Sequence, residues 1–477
     1  MVVLGGVKER KDMSQCENVC GSIARSRIQK AYVVLEPCRG ELTYPTKDNL
    51  IMLTNDATIS QAPEYMDSAE KLGSRDAFER FPEAVPAAQA TLSMYINTQD
   101  GIGAKPQGYD ALVSLFGSST LLNPPRFSMA ESLVNDTSLG LASMDESAPL
   151  PPCGVIEVGT ELIYYNSISE DGTTLLDCLR GYNNTTAAPI SAGTAGEYKS
   201  LAFIQDDCNP SFSYFLLTDH FWQAVTGATI NDAALSLSNS GAVQLEFSTI
   251  QGMQVLLAGT NKVTSAAAAG ATVISVDLAR SCTVGAWVFN KTMGDNNGGP
   301  AVGYKIVAVD DDAGTITVDA GIAESWPVDS IVTGFLPQDA ARIGEPVKGA
   351  SAKVFIDGNP GKLRTTTLNY NNNITYLTDE IGTEFPEEYA EDGRTITFEM
   401  NTYFRRQDAI RFKEGLKGKY TGVRFVFGEN NKVVLHMPKV QQEMPSPNME
   451  PPTVSLNITG TALPACKGND AIYLIIN

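Results

Sequence analysis

Histidine and positive charge are both scarce in this 477-residue sequence. Its two histidines, His220 and His436, lie in no recognisable motif, so neither a Ser-His-Asp triad nor a multi-histidine metal site is predicted. Lys and Arg number 35 against 55 Asp and Glu, which gives a formal net charge of −20. Because such a chain repels phosphate backbones, a conventional nucleic-acid binder is not expected.

Motifs typical of catalysis, metal binding or membrane insertion are also missing. The sequence has no GxSxG, HExxH, P-loop or GxGxxG motif, no CxxC pair among its eight Cys, and no run of about 18 apolar residues. Residues 295–298 and 310–312 lack EF-hand spacing, so turns are favoured there over calcium sites. No catalytic residue, metal or cofactor is therefore predicted, and the chain is not expected to be an enzyme.

The N-terminus, MVVLGGVKERKDMSQ, becomes charged before an apolar segment of useful length forms. A secretory signal peptide is therefore not predicted, and we expect synthesis in a reducing cytoplasm.

The chain is long, and its sequence predicts many short strands. Hydrophobic residues make up 43% of the chain, and its length corresponds to about three domains of ~150 residues. Apolar residues mostly recur with period two, between Gly, Asn, Asp and Pro turns. The clearest strands are predicted at 91–96, 233–237, 243–247, 395–400 and 454–458. Helical spacing predicts short helices at 109–116 and 408–416. The expected fold class is mainly β.

The order of elements around the first predicted helix recurs around the second. Each half has a strand, a long polar loop, an alternating strand and a helix. These elements lie at 57–60, 61–85, 91–96 and 109–116 in one half and at 365–370, 371–393, 395–400 and 408–416 in the other. The pattern predicts an internal duplication, with chance similarity between two β-rich stretches as the alternative.

Two further segments, 149–197 and 263–337, interrupt this scheme and resemble each other. Both are predicted to be small inserted β-modules on the surface, because a buried connection would leave backbone polar groups without partners.

The stretch LNYNNNITYLT, from Leu368 to Thr378, resembles the tail tube proteins of long-tailed, non-contractile bacteriophages, of the type with two tube domains fused in one chain. The segments YFLLTDHFW (214–222), GATIN (227–231) and VSLNITGTAL (454–463) are similar to the same family. Members stack as rings around a channel for DNA, and each tube domain is a β-sandwich flanked by a helix. The resemblance covers residues 24–145, 200–262 and 338–477.

The resemblance implies both a domain organisation and a function. An N-terminal arm would occupy 1–23, the first tube domain 24–148 and 198–262, and the second tube domain 338–477. Three such chains would close one ring of pseudo-sixfold appearance, and the rings would stack into the tail tube of a virion. The implied partners are further copies of the chain, the tape measure, tail tip and tail terminator proteins, and passing double-stranded DNA, with no membrane.

The polar faces of the predicted strands lack positive charge, which suits a channel wall that DNA must not stick to. The candidate lumen-facing residues are Thr91, Ser93, Gln244, Glu246, Thr397, Glu399, Ser455 and Asn457. The alternative is that these are simply the solvated faces of a sandwich.

The two long polar loops are predicted to dock between stacked rings, since unstructured connections of that length usually have a function. The candidate docking residues are Glu64, Arg75, Glu79 and Arg80 in the first loop and Glu384, Glu387 and Glu388 in the second. The candidate basic surface that would receive an acidic loop is Arg405, Arg406, Arg411 and Lys413. A solvated loop without a docking partner is the alternative.

Two other functions remain open from the residues alone. An adhesin or receptor-binding β-protein would explain the inserted modules. A glycoside hydrolase would explain the acidity, although no carboxylate pair is singled out.

Overall fold

The protein is described from a computed structural model. The described residues are 27–71, 76, 79–98, 101–145, 148–219, 221–293, 303–334, 337, 344–428, 433–465 and 468–477. The predicted N-terminal arm, Arg75, His220 and the turn at 295–298 lie outside them.

The structure is mainly β, as the sequence predicts. The strands before the first long insertion, with the first helix, are β1 (Gln29–Leu35), β2 (Leu50–Ile51), β3 (Thr58–Ser60), β4 (Tyr65–Asp67), β5 (Arg80–Pro82), β6 (Ala88–Tyr95), α1 (Tyr109–Phe116) and β7 (Gly117–Ser119). The next are β8 (Arg126–Met129), β9 (Leu139–Met144), β10 (Gly154–Val158), β11 (Glu161–Tyr165), β12 (Ser167–Ile168), β13 (Thr174–Leu176) and β14 (Ala195–Tyr198). They are followed by β15 (Leu201–Gln205), β16 (Phe212–Thr218), β17 (Phe221–Ser238), β18 (Gln244–Gly252) and β19 (Gln254–Gly259).

The remaining elements complete the chain. The strands of the second insertion are β20 (Asn261–Lys262), β21 (Val273–Ser275), β22 (Trp287–Asn290), β23 (Tyr304–Asp310), β24 (Thr315–Val318) and β25 (Ile331–Gly334). The final elements are β26 (Lys353–Ile356), β27 (Asn359–Gly361), β28 (Thr365–Asn371), β29 (Ile374–Tyr376), β30 (Tyr389–Glu391), β31 (Thr395–Tyr403), α2 (Ala409–Leu416), β32 (Tyr420–Phe427), β33 (Val433–Gln442), β34 (Ser446–Glu450), β35 (Thr453–Ala462) and β36 (Tyr473–Ile476). Both predicted helices and all five clearest strands are confirmed within these bounds.

Contacts divide the chain into two compact units. Of the described residues, the smaller unit contains those within 27–30, 216–223 and 257–334. Its six strands form one sheet in the order β20-β25-β22-β23-β24-β21. Buried aliphatic and aromatic side chains fill this unit, and the rings of Tyr304 and Trp326 meet edge to face at 5.9 Å. Asp310 at the end of β23 accepts a hydrogen bond from the amide of Ala313 at 2.8 Å, which is the turn chemistry expected at 310–312.

The larger unit contains the described residues within 31–215, 224–256 and 337–477. One of its sheets has seven strands in the order β11-β10-β14-β8-β9-β13-β12. This sheet includes β8 and β9 and therefore begins before residue 149, where the sequence places the start of the first insert. Its buried residues form one core with Val426, Val434 and Ile475 from the end of the chain.

Eight strands of the larger unit form a continuous antiparallel array that contains both predicted halves. The order is β3-β6-β18-β17-β28-β31-β35-β34. The central pair, β17 with β28, joins the two halves in register from Asp232↔Asn371 to Ser238↔Thr365. At ~4.8 Å between neighbouring strands, the array is roughly 34 Å wide.

The two long loops contain short hairpins, contrary to the expectation of unstructured connections. The first hairpin pairs β4 with β5, and the second pairs β29 with β30. Each hairpin follows the outer strand of its half and precedes the long strand that leads to the helix. In the second hairpin, the alternation of Ile374 and Tyr376 is the β-pattern, and it is only three residues long.

Candidate functional site: a polar face shared by both halves

The eight candidate lumen-facing residues all lie on one face of the continuous array. Residues directly opposite each other in antiparallel strands point to the same face. One row in register across six strands is Ser93, Glu246, Ala234, Asn369, Thr397 and Thr461. The next row is Tyr95, Gln244, Ser236, Thr367, Glu399 and Thr459. We call this surface the polar face.

Further rows extend the same surface without changing its chemistry. Ser238, Thr365, Asn401, Asn457 and Ser446 form a third row, and Thr91 lies opposite Thr58 at the β3 edge. Over these rows, every one of which the structure describes, the side chains are hydroxyls, amides, carboxylates, one alanine and one tyrosine. No Lys or Arg occurs among these described positions, so Glu246 and Glu399 make the polar face acidic.

Two of the eight candidates are not exposed. Ser93 is 4% exposed because residues 53–56 cover it: its hydroxyl lies 3.0 Å from Thr54 Oγ1 and accepts from the amide of Asn55 at 3.0 Å. Ser455 is fully buried, in register between the longer side chains of Tyr403 and Asn448. The expectation that both present their hydroxyls to solvent is therefore wrong. Strand alternation assigns a face correctly, but it does not show what else covers that face.

The other six candidates are at least partly accessible. Glu246 and Glu399 are exposed, while Thr91, Gln244, Thr397 and Asn457 are half-buried. Cross-strand hydrogen bonds hold the amides: Asn401 donates to Asn457 Oδ1 at 2.5 Å, and Gln244 donates to Thr54 Oγ1 at 3.2 Å. Amides already engaged with neighbours present a pre-ordered neutral surface.

The opposite face of the array is apolar and carries α1. Leu235, Leu245 and Leu368 point to this side and are buried, and all eight residues of α1 are buried as well. Asp110 in this helix accepts a hydrogen bond from Asn49 Nδ2 at 2.7 Å. Burial raises the pKa of the Asp110 carboxyl above its ordinary value.

Three candidate docking residues of the first loop, Glu64, Glu79 and Arg80, are exposed. Glu64 and Glu79 are accessible, and Arg80 forms an exposed ion pair with Asp67 at 2.7 Å. An exposed pair of this kind stabilises the hairpin by only about 0–1 kcal/mol.

In the second hairpin, the side chains of Glu384, Glu387 and Glu388 are exposed near its tip. The backbone of this tip is held within the chain, since the amide of Val85 donates to the carbonyl of Glu384 at 3.3 Å.

The candidate basic surface is only partly free. Arg411 pairs with Asp408 at 3.4 Å, and Arg405 donates to Thr402 Oγ1 and to the carbonyl of Tyr403, each at 3.4 Å. Arg406 and Lys413 are exposed. The exposed charge available to a partner therefore comes mainly from these last two residues.

We also looked for metal sites and membrane-spanning helices in the described residues, and for related proteins with the whole chain. No group of three or more His, Cys, Asp or Glu side chains that could hold a metal ion occurs among them. None of the described helices is both long and apolar enough to span a bilayer. Searches with the whole chain found no matching protein-family model and no matching curated protein.

The sequence predicts which residues lie on the polar face, but it does not predict the strand pairing that joins the two halves of that face. The pairing of β17 with β28 joins two strands more than 120 residues apart, and nothing local in either strand specifies that partner. The usable signal was that both strands alternate with polar residues on one side, as strands sharing a single solvated face do.

Proposed function

We propose that this chain is a structural virion protein that polymerises as stacked rings into the tail tube of a long non-contractile-tailed bacteriophage. The polar face is then the wall of the channel through which DNA passes into the host. The single observation that supports this most is the extent of that face: it runs over eight strands from both halves, and no Lys or Arg occupies the described positions of its three rows.

The charge of the polar face suits DNA passage. A duplex carries one negative charge per ~1.7 Å of its axis, and each Lys or Arg contact with a phosphate releases a counterion and strengthens binding. A wall of hydroxyls, amides and two carboxylates per chain offers no such contact. DNA would therefore slide through without stalling.

The width of the array suits a channel built from three chains. Three copies would contribute about 24 strands, and a closed cylinder of that many strands, tilted by about 40° at ~4.8 Å spacing, has a diameter of roughly 45–50 Å between opposite backbones. That space accommodates a duplex after side chains are added. A trimeric ring of 51.1-kDa chains has a mass of about 153 kDa.

The other partners follow from the same assignment. The tube would contact the tape measure protein, the tail tip and the tail terminator, and it would assemble in the host cytoplasm without a membrane partner. The inserted β-modules would lie on the outside of the tube, since a channel that they obstructed could not pass DNA.

Electron microscopy of the purified protein tests the proposal. Tubes of stacked rings with a stain-filled channel would support it. A chain that stays monomeric at high concentration would contradict it, and glycan binding or glycan hydrolysis by that monomer would then favour an adhesin or a glycoside hydrolase.

A further inference from the structure

The two helices occupy matching places in the two halves but differ completely in burial. Each has eight residues and follows the long strand that leads out of the hairpin, β6 for α1 and β31 for α2. All eight residues of α1 are buried, whereas none of α2 is. In α2 the apolar side chains Ile410 and Leu416 are 59% and 76% exposed.

The second half supplies part of the cover over α1. The ring of Phe116 packs against that of Tyr370 in β28 at 5.4 Å, and Asn372 Nδ2 donates to the carbonyl of Leu115 at 3.1 Å. Leu112 and Leu115 also line a small cavity together with Leu368 and Leu435 of the second half. Among the described residues, no element covers α2 in this way.

The two hairpins also differ in burial, but here the element of the second half is buried and that of the first half is exposed. The second hairpin packs on the first half: Ile374 and Tyr376 are buried beside Ala87 and Met253. The Tyr376 hydroxyl donates to the carbonyl of Gly227. In the first hairpin, the apolar side chains are exposed, with Tyr65 at 54%, Met66 at 57% and Phe81 at 45%. The part of the chain that the structure describes therefore leaves the apolar side of the first hairpin uncovered.

The strand edges repeat this contrast. Beyond Asp232, β17 pairs with β18 on one side and with β28 on the other. β34 holds the same fourth position in its half of the array (β28-β31-β35-β34) as β17 does in the other (β3-β6-β18-β17). It pairs with β35 and, among the described residues, with no second strand. Likewise β3, the counterpart of β28, has β6 as its single strand partner in the described part of the chain. A strand at the edge of a sheet is a template for pairing with another chain.

From these three contrasts we infer that copies of this chain join head to tail, with α2 and β34 of one copy against the first hairpin and β3 of the next. The interface repeats the junction that α1, β17, β28 and the second hairpin form inside each chain. It is heterologous, so it closes into a ring when the rotation between copies allows. The inference rests on the proposed ring assembly but not on what passes through the ring.

The charges around the two surfaces complement each other. Arg406 and Lys413 are exposed beside and on α2, while Glu64 and Glu79 are exposed beside the first hairpin. Complementary charges of this kind set orientation and association rate more than affinity.

Two double variants that each remove one side of the interface provide the test. Ile410→Glu with Leu416→Glu places charge on the α2 side, and Met66→Glu with Phe81→Glu places charge on the hairpin side. Each variant alone should be monomeric by native mass spectrometry. Mixed together, they should form a heterodimer of about 102 kDa, two chains of 51.1 kDa, and nothing larger, because one intact interface remains and both outer surfaces are altered.

A matched control changes two exposed apolar residues in the connections between strands of the seven-stranded sheet. Leu133 and Leu179 are 68% and 56% exposed, and their double change to Glu should leave assembly as in the wild type. Circular dichroism and thermal melting of each variant check that these surface changes leave the fold intact.

The outcomes separate this inference from the proposed function. Wild-type oligomers that persist in either double variant, or variants that stay monomeric when mixed, overturn the interface. Wild-type rings that never stack into tubes, with the heterodimer formed as expected, leave the interface standing and contradict the tube. A wild-type chain that is monomeric throughout overturns both.

Discussion

At the residue scale, Glu246 and Glu399 are the exposed acidic side chains that determine the charge of the polar face. Changing both to Lys raises the net charge of each chain by four units. If this face lines a DNA channel, tubes of the variant should retain duplex DNA, with an affinity that falls steeply with salt, whereas wild-type tubes should not. Retention is measured by co-sedimentation of fluorescent DNA with tubes at 50 and 200 mM salt.

The matched control for that experiment is Glu131→Lys with Glu170→Lys, two exposed carboxylates outside the polar face. It makes the same change in net charge. Equal DNA retention by both double variants would show that total charge, and not the polar face, determines the effect.

His436 predicts a pH dependence of stability. Burial, reinforced by the charge of Arg424, lowers the pKa of His436 from 6.5 to about 3. The folded state therefore keeps the imidazole neutral, while the unfolded chain takes up a proton below about pH 6.5, so the free energy of unfolding falls as the pH falls below that value. Between pH 7 and pH 5 this residue should lower it by about 2 kcal/mol.

Chemical unfolding of the wild type and of His436→Gln at the two pH values measures this contribution. The loss of stability between pH 7 and pH 5 should be about 2 kcal/mol smaller in the variant. The same loss in both proteins would mean that His436 can be protonated in the folded state.

At the scale of elements, the sequence predicts which segments are helices or strands better than it predicts what each element packs against. The helix at 109–116 and the strand at 395–400 follow from apolar spacing, because that spacing reports which side chains must be buried together. The pairing of β17 with β28 and the burial of all of α1 depend on distant partners such as Tyr370. The sequence does not predict the hairpins because each of their strands has only three residues, which is too short to show an alternating pattern.

The contrast between the helices predicts unequal costs of truncation. Phe116 in α1 is 3% exposed, so Phe116→Ala should lower the free energy of unfolding by about 3–5 kcal/mol. Leu416 in α2 is exposed, so Leu416→Ala should change the stability of the monomer by no more than about 0.5 kcal/mol. Denaturant unfolding at concentrations too low for assembly measures both, and a large loss for Leu416→Ala would show that α2 is packed within its own chain.

The acidic tip of the second hairpin remains the candidate for ring stacking. Replacing Glu384, Glu387 and Glu388 with Lys should leave single rings intact but shorten or abolish tubes, because many weak contacts repeated around a ring act together. Electron microscopy with measured tube lengths checks this. Tubes of normal length would show that the hairpin tip is solvated and does not contact the neighbouring ring.

At the scale of the whole molecule, the junction between the two halves and the proposed junction between chains use the same elements: a helix, a hairpin and two paired edge strands. Within the described residues, the first hairpin with β3 and α2 with β34 are the two surfaces that make no such junction inside the chain. Three chains then give six similar junctions around a ring. The seven-stranded sheet shares its core with Val426, Val434 and Ile475, so this insert is part of the folded body of the chain and not a detachable appendage.

The most direct test of the central claim is a cryo-electron microscopy reconstruction of the assembled protein. We predict three chains per ring, with the eight-strand array of each chain, from β3 to β34, lining the lumen and its polar face turned inward. Six chains per ring, or a polar face turned to the outside of the assembly, would contradict the account.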